Sequence, residues 1–314
     1  MTLPAEFAMI NRHFRPLAGE GALGLTDDAA VFTPPPGREL VVTADTMVAG
    51  VHFLPDDPAG AIAQKLLRVN LSDIAAMGAV PFAYLLALSI PRGTPEAWLA
   101  AFAAGLAADQ AAYGIHLLGG DTTSTPGPVS LTVTMLGHVE PGTAWRRAGA
   151  RPGDDVWVTG VIGRGVLGLM ALRGEVADPD GSLAAHYRLP SPRVGLKLHG
   201  LVSAAMDLSD GLLQDSGHIA RASGLTIELD VTRVPLCAAG VAQGVGFVDS
   251  GAAGGDDYEL LLTAAPADAE ALQAAMAGVP ITRIGRCLAG APEVKAIDAR
   301  GEPITPGTKG WSHF

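Results

Sequence analysis

Aspartates interrupt apolar or glycine-rich stretches at six points along this chain, and they limit what it can fold into more than any other feature. The positions are Asp27-Asp28, Asp45, Asp73, Gly119-Gly120-Asp121, Asp207-Leu208-Ser209-Asp210 and Gly255-Asp256-Asp257. Each follows or breaks a run that otherwise reads as buried structure. Carboxylates at element ends, beside glycines, suit hard cations and the phosphates those cations carry. The pattern points to a site for magnesium and a nucleotide. No G-x-x-x-x-G-K-[ST] is present to hold phosphates in another way.

Bulk properties narrow the class. With 314 residues and 48% hydrophobic content, the chain can bury a large core, and its length suggests two domains. Only 17% of residues are charged and no low-complexity tract occurs, which argues against wholesale disorder. A formal net charge of -11 disfavours non-specific nucleic-acid binding. Cys237 and Cys287 form neither a zinc spacing nor a disulfide framework, so a reduced, cytoplasmic setting is expected. No 18-residue apolar span is free of charge, Gly and Pro, and residues 1–15 do not read as a signal peptide. No membrane partner is expected.

Strand and helix signals alternate through both halves, which predicts α/β (α+β) domains. Leu40 to Asp45 reads as a buried strand ending in an acid. Asp57 to Met77 reads as a helix, with Asn70, Asp73 and Met77 on one face. Tyr84 to Ile90 is a second strand. Thr94 and Pro95 predict a helix start, with Thr94 as N-cap, and Gly114 its end. Ile115 to Leu118 is expected to be a short strand that delivers Gly119-Gly120-Asp121, and Val129 to Val139 alternates as a half-buried strand. The turn-rich stretch 147–154 predicts a boundary, dividing the chain into 1–150 and 151–314. Beyond it, strands are expected at 155–161, 225–231, 257–263 and 281–286. Helices are expected after Gly163, after Asp210, from Pro190 to Gly200, and over 266–276.

Three motifs have competing readings. Gly163-Arg164-Gly165-Val166-Leu167-Gly168 matches G-x-G-x-x-G, but no second strand ending in an acid follows. A strand-to-helix turn that needs small residues is the favoured reading over a dinucleotide site. Asp207-Leu208-Ser209-Asp210-Gly211 precedes a helix. One capping residue accounts for one acid and leaves the other for magnesium or phosphate. Gly255-Asp256-Asp257 could be a tight turn, yet two acids entering the apolar run Leu260-Leu261-Leu262 favour a functional role. His52 is balanced between a structural and a binding role.

Taken in order, six segments resemble the thiamine-monophosphate kinase family. They are 25–31, 43–53, 69–78, Gly119-Gly120-Asp121-Thr122-Thr123, 206–212 and 255–260, and the closing 309–314 extends the likeness along nearly the whole chain. The wider superfamily is that of aminoimidazole ribonucleotide synthetase. The resemblance implies phosphoryl transfer from ATP to thiamine monophosphate, the last step of thiamine diphosphate biosynthesis. It implies an N-terminal mixed-sheet domain that pairs with its twin in a homodimer to form a shared barrel. A C-terminal α/β domain would close the active site.

Several Mg2+ ions are implied, with Asp28, Thr43, Asp45, Asp73, Asp121, Asp207 and Asp210 as ligands and Ala44 through its backbone carbonyl. Tyr113, Gly120, Asp121, Arg147 and Ser209 would contact ATP. His52, Asp256 and Trp311 would contact thiamine monophosphate. Thr26 stands where the family usually has Gly. Threonine adopts positive φ only at a cost, so this loop is expected to take a different backbone. Rivals within the superfamily fit less well. Selenophosphate synthetase is expected to carry a reactive residue near its N-terminus, yet no Cys precedes Cys237. The hydrogenase-maturation relative ends in Cys, whereas this chain ends in Phe314.

Elementary chemistry agrees with the acid-rich pattern. The acceptor is itself a phosphate with a second pKa of about 6, so near neutrality its oxygen is already an anion. No general base is assigned. The obstacle is repulsion, since two like unit charges 4 Å apart cost about 4 kcal/mol at an effective dielectric near 20. Cations between donor and acceptor offset that cost and align the two for in-line displacement.

Overall fold

The computed structural model describes residues 5–247 and 254–304. They form two compact units, described separately below: 5–74 with 79–142, and 75–78 with 143–304.

The first unit contains α1 (Ala5–Met9), β1 (Glu39–Val48), α2 (Ala59–Ala76), β2 (Val80–Pro91), α3 (Glu96–Tyr113), β3 (His116–Thr125) and β4 (Ser130–Val139). The strands form one mixed sheet in the order β1-β4-β2-β3, in which only β2 and β3 run parallel. A parallel neighbour requires a crossover, and α3 supplies it. β4 alternates strictly between buried and half-buried residues, so one face of the sheet is covered and the other is open. Leu131, Val133 and Met135 of β4 and Tyr84, Leu86 and Leu88 of β2 line the covered face.

Both long helices pack there. Ile74 of α2 reaches the backbone of β4 at Gly137, and Gln110 of α3 donates to the Tyr84 hydroxyl at 3.0 Å. The two helices cross where Gly105 leaves no room for a side chain. A Cβ there would lie 2.2 Å from the Gly60 carbonyl oxygen. Beside the crossing, buried Asp109 accepts from Arg68 Nε and Gln64 Nε2, both at 2.8 Å.

Three expectations for this unit are corrected. β1 is not buried and does not end at its acid. It is an edge strand with exposed Leu40 and Val42, and Asp45 lies inside it. Thr94 does not cap α3. Pro95 is the N-cap residue, and the Thr94 hydroxyl donates to the Pro91 carbonyl at 2.8 Å. β3 does not stop before its glycines but runs through Asp121 to Thr125, because β2 continues to pair beside it. The end of α3 is as expected, with Gly114 left-handed at φ 66°.

The second unit contains β5 (Asp155–Thr159), α4 (Arg164–Leu172), α5 (Ser182–Arg188), β6 (Ala204–Asp207), α6 (Leu212–Ser223), β7 (Thr226–Asp230), α7 (Ala238–Ala242), β8 (Leu260–Ala264), α8 (Ala269–Ala275), β9 (Ile281–Leu288), β10 (Glu293–Ile297) and β11 (Pro303–Ile304). Its mixed sheet has the order β11-β10-β7-β9-β5-β8-β6, with β7 and β10 parallel. β5, β6 and β8 are buried at every residue; β5 and β8 lie inside the sheet, and β6 is an edge strand that is covered all the same.

No helix runs from Pro190 to Gly200. Two prolines two residues apart hold their predecessors out of the helical region. The guanidinium of Arg193 is instead drawn onto the buried carboxylate of Glu259, which also accepts from Thr159 Oγ1 at 2.6 Å. Among the described residues, no helix is long and apolar enough to cross a membrane.

Candidate functional site

In the first unit the sequence-predicted residues fall into two groups. The first lies at the β1 edge, on the face covered by α2. Thr43 and Asp45 pair with buried Met135 and Val133 of β4, so their side chains point to that covered face. Thr43 Oγ1 donates to Asp73 Oδ2 of α2 at 2.5 Å. Fully buried Asn70 accepts from the Asp45 amide at 3.1 Å and donates to the Leu66 carbonyl at 2.9 Å. It thereby clamps β1 to α2 at the level of the acids. Ala44 pairs with Thr134 on the open face and has only its carbonyl to offer a cation.

His52 follows β1 in a tight turn. Its Nδ1 accepts from the Val48 amide at 3.0 Å, and its carbonyl accepts from buried Lys65 at 3.1 Å. With Nδ1 used as an acceptor, the neutral ring carries its proton on Nε2.

The second group lies at the other edge of the sheet, on β3. Gly120 and Asp121 line a cavity of about 550 Å3 together with Asp27, Asp28 and the apolar Phe14, Leu25 and Phe32. Asp121 pairs with Ala87 of β2, which pairs with Thr132 of β4, and these residues share the open face. Gly120 is needed for close approach, since a Cβ there would lie 1.8 Å from the Leu86 carbonyl oxygen.

Thr26 escapes strain. Its φ is -114°, and its hydroxyl donates to the Leu23 carbonyl at 2.8 Å. The left-handed conformations fall instead on Leu23, Gly24 and Leu25. Tyr113, the last residue of α3, packs its ring under the Arg68 guanidinium, 5.9 Å from the centroid.

Asp45 and Asp121 therefore occupy opposite edges and opposite faces of one sheet. Three strand spacings separate β1 from β3, about 14 Å. The chain brings Thr43 to Asp73, and Asp28 to Asp121, but it does not bring these two groups into one coordination sphere.

In the second unit, Asp207 ends β6 and is buried. Neither it nor Ser209 caps α6, whose N-cap is Gly211 with no side-chain bond. Buried Asp215 does that work, accepting from the amides of Asp210 at 3.1 Å and Gly211 at 3.2 Å. Burial pushes the Asp215 carboxyl up to about 7 against the pull of those amides. Ligand atoms of Asp210, Asp215 and His218 lie within 4.8 Å of one another. Arg147 is exposed, and its carbonyl accepts from Ser223 at the end of α6.

The stretch before β8 is fastened on two sides. Asp256 and Tyr258 donate from their amides to the carbonyls of Ser209 and Leu208, at 2.9 and 2.8 Å. Asp257 accepts from the amides of Gly163 at 2.8 Å and Gly165 at 3.0 Å. Burial pushes its carboxyl up to about 7, opposed by those two amides. The amides of the G-x-G-x-x-G motif are thus taken by an internal carboxylate. This supports the turn reading of that motif over a dinucleotide phosphate site. Trp311 lies outside the described residues.

The sequence reading placed Asn70 on the helix face of Asp73 without giving it a role, and it missed Lys65, Asp215 and the Arg193–Glu259 pair. Asp215 leaves a weak signal, an acid in the first turn of an amphipathic helix. The others depend on partners distant in sequence or on turns with no motif.

Comparison with known proteins matches residues 26–139 to the AIR synthase related protein, N-terminal domain, and residues 151–296 to the C-terminal domain. A thiamine-monophosphate kinase of Caulobacter vibrioides is 46% identical over 99% of this chain and 91% of its own length. The crystal structure of thiamine-monophosphate kinase from Stenotrophomonas maltophilia K279a is 41% identical. It superposes with a TM-score of 0.83 over 96% of this chain and 98% of that one. The structure of AaThiL complexed with AMPPCP and TMP is 27% identical, with a TM-score of 0.79 over the full length of both chains.

Proposed function

The chain belongs to the thiamine-monophosphate kinase family, with both domains of the AIR synthase related proteins, and from that premise we propose how its residues divide the work of phosphoryl transfer. The reaction is ATP-dependent phosphorylation of thiamine monophosphate to thiamine diphosphate. The observation that carries the assignment of roles is the distribution of acids at the two edges of the first sheet, with Asp73 beside the Thr43 hydroxyl at one edge and Asp27, Asp28 and Asp121 around one cavity at the other.

The donor set fits Mg2+. Thr43 and Asp73 already share a 2.5 Å contact, and Asp45 is held level with them by Asn70. These are hard oxygen ligands on stiff elements. We assign Thr43, Asp45, Asp73 and the Ala44 carbonyl to one cation-binding group and Asp28 and Asp121 to another. Asp207 and Asp210 of the second unit are assigned to cation binding as well. When bound, Mg2+ neutralises the charge between donor and acceptor phosphates.

The remaining roles follow the chemistry of each group. Gly120 presents backbone where no side chain fits, which suits close approach of a phosphate. Ser209 offers a hydroxyl, Arg147 an exposed guanidinium for charge-assisted bonds to ATP, and Tyr113 a ring near the same nucleotide. His52 presents an Nε2 donor to thiamine monophosphate, and Asp256 a carboxylate that suits its cationic rings. We keep Trp311 as a stacking partner for those rings. Residues 1–150 supply the dimer surface and most of the metal and nucleotide contacts, and 151–314 supply Asp207, Ser209, Asp210, Asp256 and Trp311. No residue acts as general base, because the attacking phosphate oxygen is already an anion.

A second copy of the chain completes this reading. The open face of the first sheet carries exposed Leu40, Val42, Val80 and Leu85, and β1 and β3 are both edge strands. An exposed apolar edge of this length needs a cover. A twin sheet would cover that face and set one copy's β3 edge beside the other's β1, in a barrel with no open edge. We place the enzyme in the cytoplasm, where its two buried, unpaired cysteines suit a reducing setting.

Incubation with ATP, Mg2+ and thiamine monophosphate should yield thiamine diphosphate and ADP one for one. ADP release without thiamine diphosphate from folded protein would contradict the assignment.

A further inference from the structure

We propose that Asp257 and Tyr258 are positioning residues that aim the Asp256 carboxylate at thiamine monophosphate; the inference rests on the assignment of Asp256 to that substrate. Asp256 and Tyr258 adopt left-handed backbone, with φ 67° and 52°. Non-glycine residues rarely do so, and two such residues flanking a third persist only where the surroundings over-determine them.

Asp257 is the residue that does the holding. Its carboxylate is buried and straddles the N-terminus of α4, one oxygen on the Gly163 amide and the other on the Gly165 amide. The fit is close. A Cβ on Gly165 would lie 2.4 Å from the Gly255 carbonyl oxygen and 2.5 Å from the Asp256 backbone. On the other side, a Cβ on Gly255 would lie 2.3 Å from the Ser209 carbonyl oxygen.

The segment is thus wedged between α4 and the 207–210 loop, leaving the Asp256 side chain as the variable to be set. The Tyr258 hydroxyl sets it, donating to Asp256 Oδ1 at 3.0 Å. A plain fold staple would need Asp257 alone. It would not need a buried tyrosine turned back, at the cost of left-handed backbone, onto the carboxylate two residues earlier.

The test is steady-state kinetics with thermal melting on Tyr258→Phe, Asp257→Asn, Asp256→Asn and the double variant Asp256→Asn/Tyr258→Phe. Tyr258→Phe removes one hydrogen bond that orients Asp256 and leaves the carboxylate itself in place, so KM for thiamine monophosphate should rise about three- to tenfold, the effect of one ordinary hydrogen bond. KM for ATP and the melting temperature should stay at wild-type values. Asp257→Asn should raise the same KM at least as much, with a lower melting temperature. If that variant does not fold, Tyr258→Phe decides. Because Tyr258 acts through Asp256, the double variant should match Asp256→Asn alone. A wild-type KM in Tyr258→Phe alongside a raised KM in Asp256→Asn would overturn the positioning role and spare the substrate assignment. A wild-type KM in Asp256→Asn would overturn both.

Discussion

Asp73 stands on α2 with its carboxylate against the Thr43 hydroxyl, and it is the residue on which the first of the proposed cation groups turns. Asp73→Asn keeps the shape and the contact but removes the charge. It should lower kcat/KM by at least about 100-fold, close to 3 kcal/mol of transition-state stabilisation. The melting temperature without ligand should change little, and the rise produced by Mg2+ with nucleotide should shrink. A variant that keeps both its activity and its Mg2+-dependent rise would remove Asp73 from the site.

His186 tests the electrostatics of the second unit. Burial, and next the charge of Arg164, lowers its pKa to about 4, against about 6.5 in an unfolded chain. Its contribution to stability is therefore complete above pH about 6.5 and is lost as pH falls toward 4. Asp215 and Asp257, raised to about 7, work in the opposite sense, their contributions fading as pH rises through 7. A difference between variants separates the terms. Melting temperature should fall less between pH 7 and pH 5 in His186→Gln than in wild type, and parallel curves would refute the assignment.

At this scale the assigned acids were legible, because each sits in a glycine-rich or apolar stretch that leaves a carboxylate conspicuous. Asp215 was not, because its partners are backbone amides at a helix start where Ser209 and Asp207 look like better caps. Asp257 was visible as an acid, but its partners, the amides of Gly163 and Gly165, lie more than 90 residues away.

Among the elements, the pairing of β2 with β3 shows how backbone packing sets a requirement for one glycine and not its neighbour. Gly120→Ala would drive a Cβ to 1.8 Å from the Leu86 carbonyl oxygen, which is backbone and cannot swing away. Gly119 meets only a leucine methyl at 3.8 Å. Gly120→Ala should cost about 3 kcal/mol or more of unfolding free energy, and Gly119→Ala under about 1. Denaturant unfolding of the two variants checks the contrast, and equal costs would contradict the close approach.

The elements themselves were read well where periodicity was long, as in α2, α3 and β4. They were misread where tertiary contacts override local signals. The helix expected after Pro190 is absent because Arg193 is held by Glu259, and α5 was missed in the polar stretch before it. β3 runs through two glycines because β2 pairs with them.

For the whole molecule, the division of the acids has the widest consequence. Asp45 and Asp121 sit on opposite edges and faces of one sheet, beyond the reach of a shared cation within one chain. The roles proposed for them make them parts of one phosphoryl-transfer site. The open apolar face, with Val42 59% exposed, supplies the surface on which a twin sheet would close that gap. The placement of Asp45 and Asp121 on opposite edges was not legible in the sequence, since strand order is invisible there; the twin-sheet barrel was expected only through the family resemblance.

Complementation tests the divided site most directly. Asp45→Asn and Asp121→Asn chains, co-expressed with different tags, are purified as homodimers and as the mixed dimer and assayed for thiamine diphosphate formation. Both homodimers should be inactive, while the mixed dimer, which keeps one intact site by two-fold symmetry, should recover about half of wild-type activity. A mixed dimer as inactive as its parents would show that each chain builds its site alone, and would contradict the account.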